Sequence, residues 1–129
     1  MNFPFMQRAG NWRPAANIKH YHAHVYYDGG SKKHAGDLRR QIEREFDVTV
    51  GRWHDAPVGP HPVSMYQVLF ETDQFTKFVP WLSLNRKGLS ILIHPGTSNG
   101  LEDHTDNALW LGEAIELDTE VLRRFDAAG

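Results

Sequence analysis

His20-Tyr21-His22-Ala23-His24-Val25-Tyr26-Tyr27 alternates histidine with aromatic or apolar residues. A period of two is the spacing of a β-strand, in which successive side chains point to opposite faces. His20, His22, His24 and Tyr26 therefore share one side of a sheet, and Tyr21, Ala23, Val25 and Tyr27 share the other. One face is oily and the other carries imidazoles. The rest of the chain decides what each face meets.

Downstream, Asp28-Gly29-Gly30 stops this strand, predicted over residues 18–27, and Ser31 is placed to cap a helix. Ala35, Leu38, Ile42 and Phe46 then recur at spacings of three and four, with Arg39, Arg40, Glu43 and Arg44 turned to water. Residues 47–53 read as a second strand, and residues 55–62 form a proline-rich loop carrying His61. The third strand, residues 63–71, sets Ser64, Tyr66, Val68 and Phe70 against Met65, Gln67, Leu69 and Glu71. Thr72 or Asp73 caps a second helix with Phe75, Phe78, Val79 and Leu82 on one stripe, and Pro80 is expected to kink or shorten it. Residues 89–94 make a fourth strand ending in His94; a long loop through Asp103, His104 and Trp110 follows, then a short helix over residues 119–125.

The order is βαββαβ with a tail. Two split βαβ units in tandem give an α+β, ferredoxin-like fold, a four-stranded antiparallel sheet with both helices on one face. The first and third strands are central. Tyr21, Ala23, Val25, Tyr66, Val68, Phe70, Ile91 and Ile93 form the helix-facing core, which leaves His22, His24, Gln67, Ser90 and His94 on the open face. That face must be hidden by loops, by a second subunit, or by both, and a homodimer is the expected assembly. Residues 1–17, with Phe3, Phe5 and Trp12 among polar residues, read as an N-terminal arm, and residues 18–129 as a single domain.

Composition narrows the function. The chain has 129 residues, no cysteine and a formal charge of -2. Thiolate chemistry is excluded, and without a basic field neither nucleic acid nor a membrane surface is an expected partner. No stretch approaches the roughly 20 apolar residues of a membrane helix, and a cytoplasmic protein is expected. Two imidazoles at i and i+2 have Cα atoms roughly 6.6 Å apart and can reach one cation. His22 and His24, joined by His94 from the antiparallel fourth strand, make a metal site, with His61, His104 or Glu71 available as a further ligand. Such a nitrogen-rich, open site suits Fe(II), Zn(II) or Mn(II). Trp110 can floor an aromatic pocket, and His20, at the strand entrance, is read as exposed.

His22-Ala23-His24, Gly59-Pro60-His61-Pro62, Met65-Tyr66-Gln67-Val68, His94-Pro95, Asp103-His104 and Trp110-Leu111-Gly112, taken in order, resemble the DOPA 4,5-dioxygenase family. The likeness runs from Tyr21 to Leu122. It implies a ferredoxin-like fold and extradiol cleavage of a catechol by O2 at non-haem Fe(II), with Zn(II) or Mn(II) as the other candidate ions. The resemblance carries over all five histidines without saying which bind the ion; ligation is assigned first to His22, His24 and His94, the acid–base or substrate-orienting role to His61 or His104, and substrate contact to Gln67 and Trp110. The competing expectations are a non-catalytic module that binds a small aromatic molecule, and a zinc-dependent hydrolase or isomerase on the same histidines.

Overall fold

The computed structural model describes residues 12–128. Phe3 and Phe5 of the expected arm lie outside them. Its described part is an exposed run with one 3-10 turn at Ala15–Asn17. From there the order is β1 His20–Tyr26, α1 Lys32–Glu45, β2 Thr49–Val50, β3 Met65–Glu71, α2 Phe75–Asn85, β4 Ile91–Pro95, α3 Gly100–His104, β5 Leu109–Leu111 and α4 Thr119–Ala128. The strands form a five-stranded sheet in the order β2-β3-β1-β4-β5, every neighbouring pair antiparallel.

Alternation along β1 fixes what each face packs against. Ala23 and Val25 are fully buried with Tyr66, Val68 and Phe70 of β3 and Ile91 and Ile93 of β4. Ala35, Leu38 and Ile42 of α1 and Phe78 and Leu82 of α2 complete this cluster, so both long helices cover the same face. Its aromatic centre is Phe78, with ring centroids 4.9 Å from Phe70 and 5.0 Å from Phe46. Tyr21 packs at its margin.

The other face is not open. Tyr26, Met65 and Leu92 form a second buried cluster, against which Val58, Val63, Ala108, Trp110, Ile115 and Leu117 pack. The proline-rich loop and the chain after β4 thus supply the cover within one chain. The fourfold sheet expected from the periodicity is widened by β5, whose Leu109, Trp110 and Leu111 pair with Ile93, Leu92 and Ile91. Three residues are too few to display a period, so in the sequence this apolar triplet is indistinguishable from the loop around it.

Other expectations are corrected locally. The second strand is a two-residue ladder, after which the chain stays beside β3 through a Gly51 N–H to Gln67 carbonyl bond and a bridge between His54 and Met65. A Cβ on Gly51 would stand 3.3 Å from the Gln67 carbonyl oxygen, so this close approach is open to glycine and tight for anything larger. Ser31 occupies the N-cap position of α1, but its hydroxyl donates back to Asp28 instead of accepting from the helix. α2 runs through Pro80 to Asn85 because Phe78 and Leu82, on either side of the proline, are both locked in the core.

Candidate metal centre

β1 and β4 meet in a register that sets His22 directly opposite His94, and β1 and β3 set His24 opposite Gln67. Directly opposed residues of antiparallel strands share a face. His24 and His94 are 3% exposed and His22 is half-buried. The loop histidines come to the same place. His61, which begins far from this end of β3 in the chain, is carried inward by its loop until its ring centroid is 4.2 Å from that of His24. His104, the last residue of α3, lies 4.0 Å from His94 by the same measure. Five imidazoles therefore converge on the histidine face, and two overlapping triads, His22-His24-His94 and His24-His61-His104, each have ligand atoms within 4.8 Å of one another.

Hydrogen bonds determine which nitrogens carry lone pairs. A carbonyl oxygen can only accept, so Nδ1–H of His94 donates to the Pro95 carbonyl at 2.9 Å and Nδ1–H of His104 donates to the Gly100 carbonyl at 2.6 Å. Nε2 is then the unprotonated nitrogen of both rings. His24 Nε2 stands 3.0 Å from His94 Nε2 and must donate to it, which leaves His24 Nδ1 as a buried lone pair with no partner among the described residues. Two imidazole nitrogens held about 2.1 Å from one cation sit about 3.0–3.4 Å apart. The His24–His94 separation fits a site that takes a cation, which would displace the shared proton and shift the His24 N–H from Nε2 to Nδ1. Backbone carbonyls behind His94 and His104 are the kind of support that orients metal-binding imidazoles.

The electrostatics agree. Burial, followed by the neighbouring imidazoles, pushes His61 down to about 4 and His94 down to about 3. The same causes, burial first, hold His24 well below the ordinary imidazole range and lower His22. These four rings are neutral at pH 7, as ligands must be.

Neither triad contains a carboxylate. Glu71 is exposed and pairs with His20 at the entrance of β1. Asp103 is buried, but its oxygens accept from the Thr97 backbone N–H at 2.8 Å and the Thr97 hydroxyl at 2.7 Å. Glu71 thus stands on an exposed strand end and Asp103 is tied to Thr97, and neither belongs to a triad. His20 is half-buried, its ring against Gly96 and 5.4 Å from that of His22. Trp110 lies across β4 from the cluster and stacks on Tyr26 at 5.9 Å, so it reaches the site through Tyr26. Tyr26 shares the histidine face by the same alternation, and its hydroxyl is 2.7 Å from His61 Nδ1, a contact the period alone does not announce. A cleft of about 730 Å³ is lined by Trp12, Ile18, Tyr21, Pro95, Thr97 and their neighbours, and none of the five histidines lines it.

Comparison with known proteins gives this geometry a context. The chain is 39% identical over 116 residues to an uncharacterised 21.2 kDa protein of Botryotinia fuckeliana, covering 81% of this chain and 63% of that one. It is 32% identical over 111 residues to a DOPA 4,5-dioxygenase of Amanita muscaria, covering 79% of this chain and 49% of that one. It thus spans 63% of the first and 49% of the second of these longer relatives. A crystal structure from Nostoc punctiforme, provisionally assigned as a dioxygenase, superposes with a TM-score of 0.87 at 47% identity, covering 88% of this chain and 99% of that one. The sequence profile of the Dopa 4,5-dioxygenase family matches residues 21–121, which include all five histidines of the cluster, and the chain belongs to that family.

Proposed function

We propose that this protein is a metal-dependent extradiol dioxygenase that opens the ring of a small catechol with O2. The observation that carries the reading is the convergence of the His22, His24 and His94 ligand atoms within 4.8 Å on a buried face. These three are assigned as ligands, and Fe(II) is the preferred ion, with Zn(II) and Mn(II) as competitors for an all-nitrogen site. Bound there, the cation supplies Lewis acidity and a common anchor for both reactants.

The chain's own groups do the rest. His104, with Nδ1–H committed to Gly100, presents Nε2 as an acceptor for a hydroxyl proton of the catechol. His61 stands across the cluster, its ring centroid 5.9 Å from that of His104, and orients a substrate oxygen. Gln67, opposite His24, and Trp110, behind Tyr26, are assigned to the substrate side of the site. The strand order β2-β3-β1-β4 with α1 and α2 on one face supports a ferredoxin-like scaffold. Residues 18–129 would form its single domain, with residues 1–17 as an arm. A homodimer, which the exposed Leu109 on edge strand β5 can help to form, and a cytoplasmic location complete the proposal.

The test is direct. Protein loaded anaerobically with Fe(II) and then exposed to O2 with a panel of catechols is expected to give yellow ring-opened semialdehydes, both oxygen atoms entering the product. Changing His22 and His94 to alanine is expected to abolish metal binding and turnover together. No coloured product from any catechol, with iron demonstrably bound, would overturn the assignment.

A further inference from the structure

We propose that Tyr26 is a positioning residue: its phenol O–H donates to Nδ1 of His61 and locks that ring with its proton on Nε2, making His61 a hydrogen-bond donor to a substrate oxygen and not a metal ligand. This rests on the dioxygenase reading for its consequence, but not for its geometry. Tyr26 is the last member of the alternation His20, His22, His24, Tyr26, and so points to the histidine face. It is 2% exposed, and Trp110 stacks on its ring. Its oxygen is 2.7 Å from His61 Nδ1.

Which atom holds the proton follows from acidity. A phenol is a far stronger acid than a neutral imidazole N–H, and an imidazole nitrogen is a far stronger base than a phenol oxygen. The proton therefore stays on oxygen and is shared towards Nδ1. The backbone of the loop is held separately: Val58 and His61 exchange both N–H to carbonyl bonds, at 3.1 and 2.9 Å, across Gly59-Pro60. The loop places His61, and Tyr26 sets its tautomer.

His61 then differs in kind from its neighbours. His94 and His104 have carbonyls at Nδ1, so they carry the proton there and offer Nε2 as a lone pair. His61 has a donor at Nδ1, so it offers N–H. The cluster thus contains two acceptor imidazoles backed by carbonyls, His94 and His104, and a donor imidazole backed by a phenol, His61. A cation coordinated by the acceptors has no lone pair to claim from His61, while a substrate oxygen has a proton to meet.

The experiment uses metal-free protein with 15N-labelled histidine, the His61 signals being identified by their loss in His61→Gln. Wild-type protein is expected to show His61 with Nε2 protonated and Nδ1 as a hydrogen-bonded acceptor. Tyr26→Phe keeps the ring and its stacking and is expected to leave a mixture of tautomers. With iron and a catechol, Tyr26→Phe is expected to lower kcat about tenfold or more, with KM and iron stoichiometry little changed. A wild-type His61 protonated on Nδ1, or a Tyr26→Phe protein with the same tautomer and kcat, overturns the proposal. Should Tyr26→Phe not fold, the wild-type spectrum alone decides. Should wild-type protein open no catechol, the dioxygenase reading fails while the spectrum still judges the tautomer.

Discussion

At the scale of single residues, His24 is the pivot, because it is the one imidazole common to both triads. Replacing it by alanine should remove metal binding whichever triad the ion occupies. His22 and His61 separate the two. If the strand triad holds the ion, His22→Ala should weaken binding by more than the about 10–100-fold typical of losing a supporting partner, and His61→Ala should leave it nearly intact. Titration of Zn(II) against a chromogenic chelator measures both. The reverse ranking would move the ion to the His24-His61-His104 triad and withdraw the assignment of His22 and His94. The contrast also marks how far the sequence could be read. His22, His24 and His94 were legible because strand period and antiparallel pairing are geometric rules. His61 and His104 sit in a loop and on a five-residue helix, where no period exists to place them, so they stand only as candidates beside Glu71 until the motifs are taken together. Tyr26 obeyed the period too, yet a phenol on a histidine face carries no signature until its partner is seen.

At the scale of elements, α3 is the short helix that carries His104. It is too short to be stable alone. Asn99 caps it by accepting from the Glu102 N–H, and Asp103 ties it to the end of β4 through the two bonds from Thr97. Its last residue is His104, so this tie holds the proposed acceptor in place. Asp103→Ala deletes the buried acceptor of both Thr97 bonds, at a cost of about 1–3 kcal/mol. Melting should register that loss, and kcat for ring opening should fall, while metal content stays because the ligands on β1 and β4 do not move. A variant that loses its metal along with its activity would show that α3 carries part of the coordination shell. Thr, Ser, Asn and Gly between His94 and Asp103 announce a loop, and the pairing of Asp103 with Thr97 is a tertiary contact that composition does not encode. The same holds for β5, which exists because β4 offers it an edge and Tyr26 offers Trp110 a ring to stack on.

At the scale of the whole molecule, the sheet divides the protein into an apolar half that stabilises it and a histidine half that taxes it in acid. Burying four imidazoles in the neutral state depresses their proton affinity, with His61 reaching about 4 and His94 about 3, and His22 and His24 shifted in the same direction. In the unfolded chain each would titrate near 6.5. Above about pH 7 neither state binds a proton at these sites, and stability is independent of pH on their account. Below about 6.5 the unfolded chain takes up protons that the folded one refuses, so stability falls, and it goes on falling until the folded pKa values are reached. At pH 5 the loss is about 2 kcal/mol for a ring like His61 or His94, and the rings add to one another. The expected result for metal-free protein is a melting temperature that is flat from pH 8 to 7 and drops steeply between pH 6.5 and 4.5. Asp28 and Asp55, whose pKa values are lowered by hydrogen bonds, the first to Ser31 and the second to Lys32 and Tyr27, lose their contribution only at more acid pH, so the histidine step stands apart. A cation that binds only the folded, unprotonated cluster should raise the melting temperature at pH 7 and shift the step towards lower pH, by mass action. Calorimetry at matched pH with and without Zn(II) reads both effects. A melting temperature that does not change between pH 7.5 and 5 would mean that the imidazoles are solvated in the folded protein, and the buried cluster on which the metal centre depends would have to be abandoned.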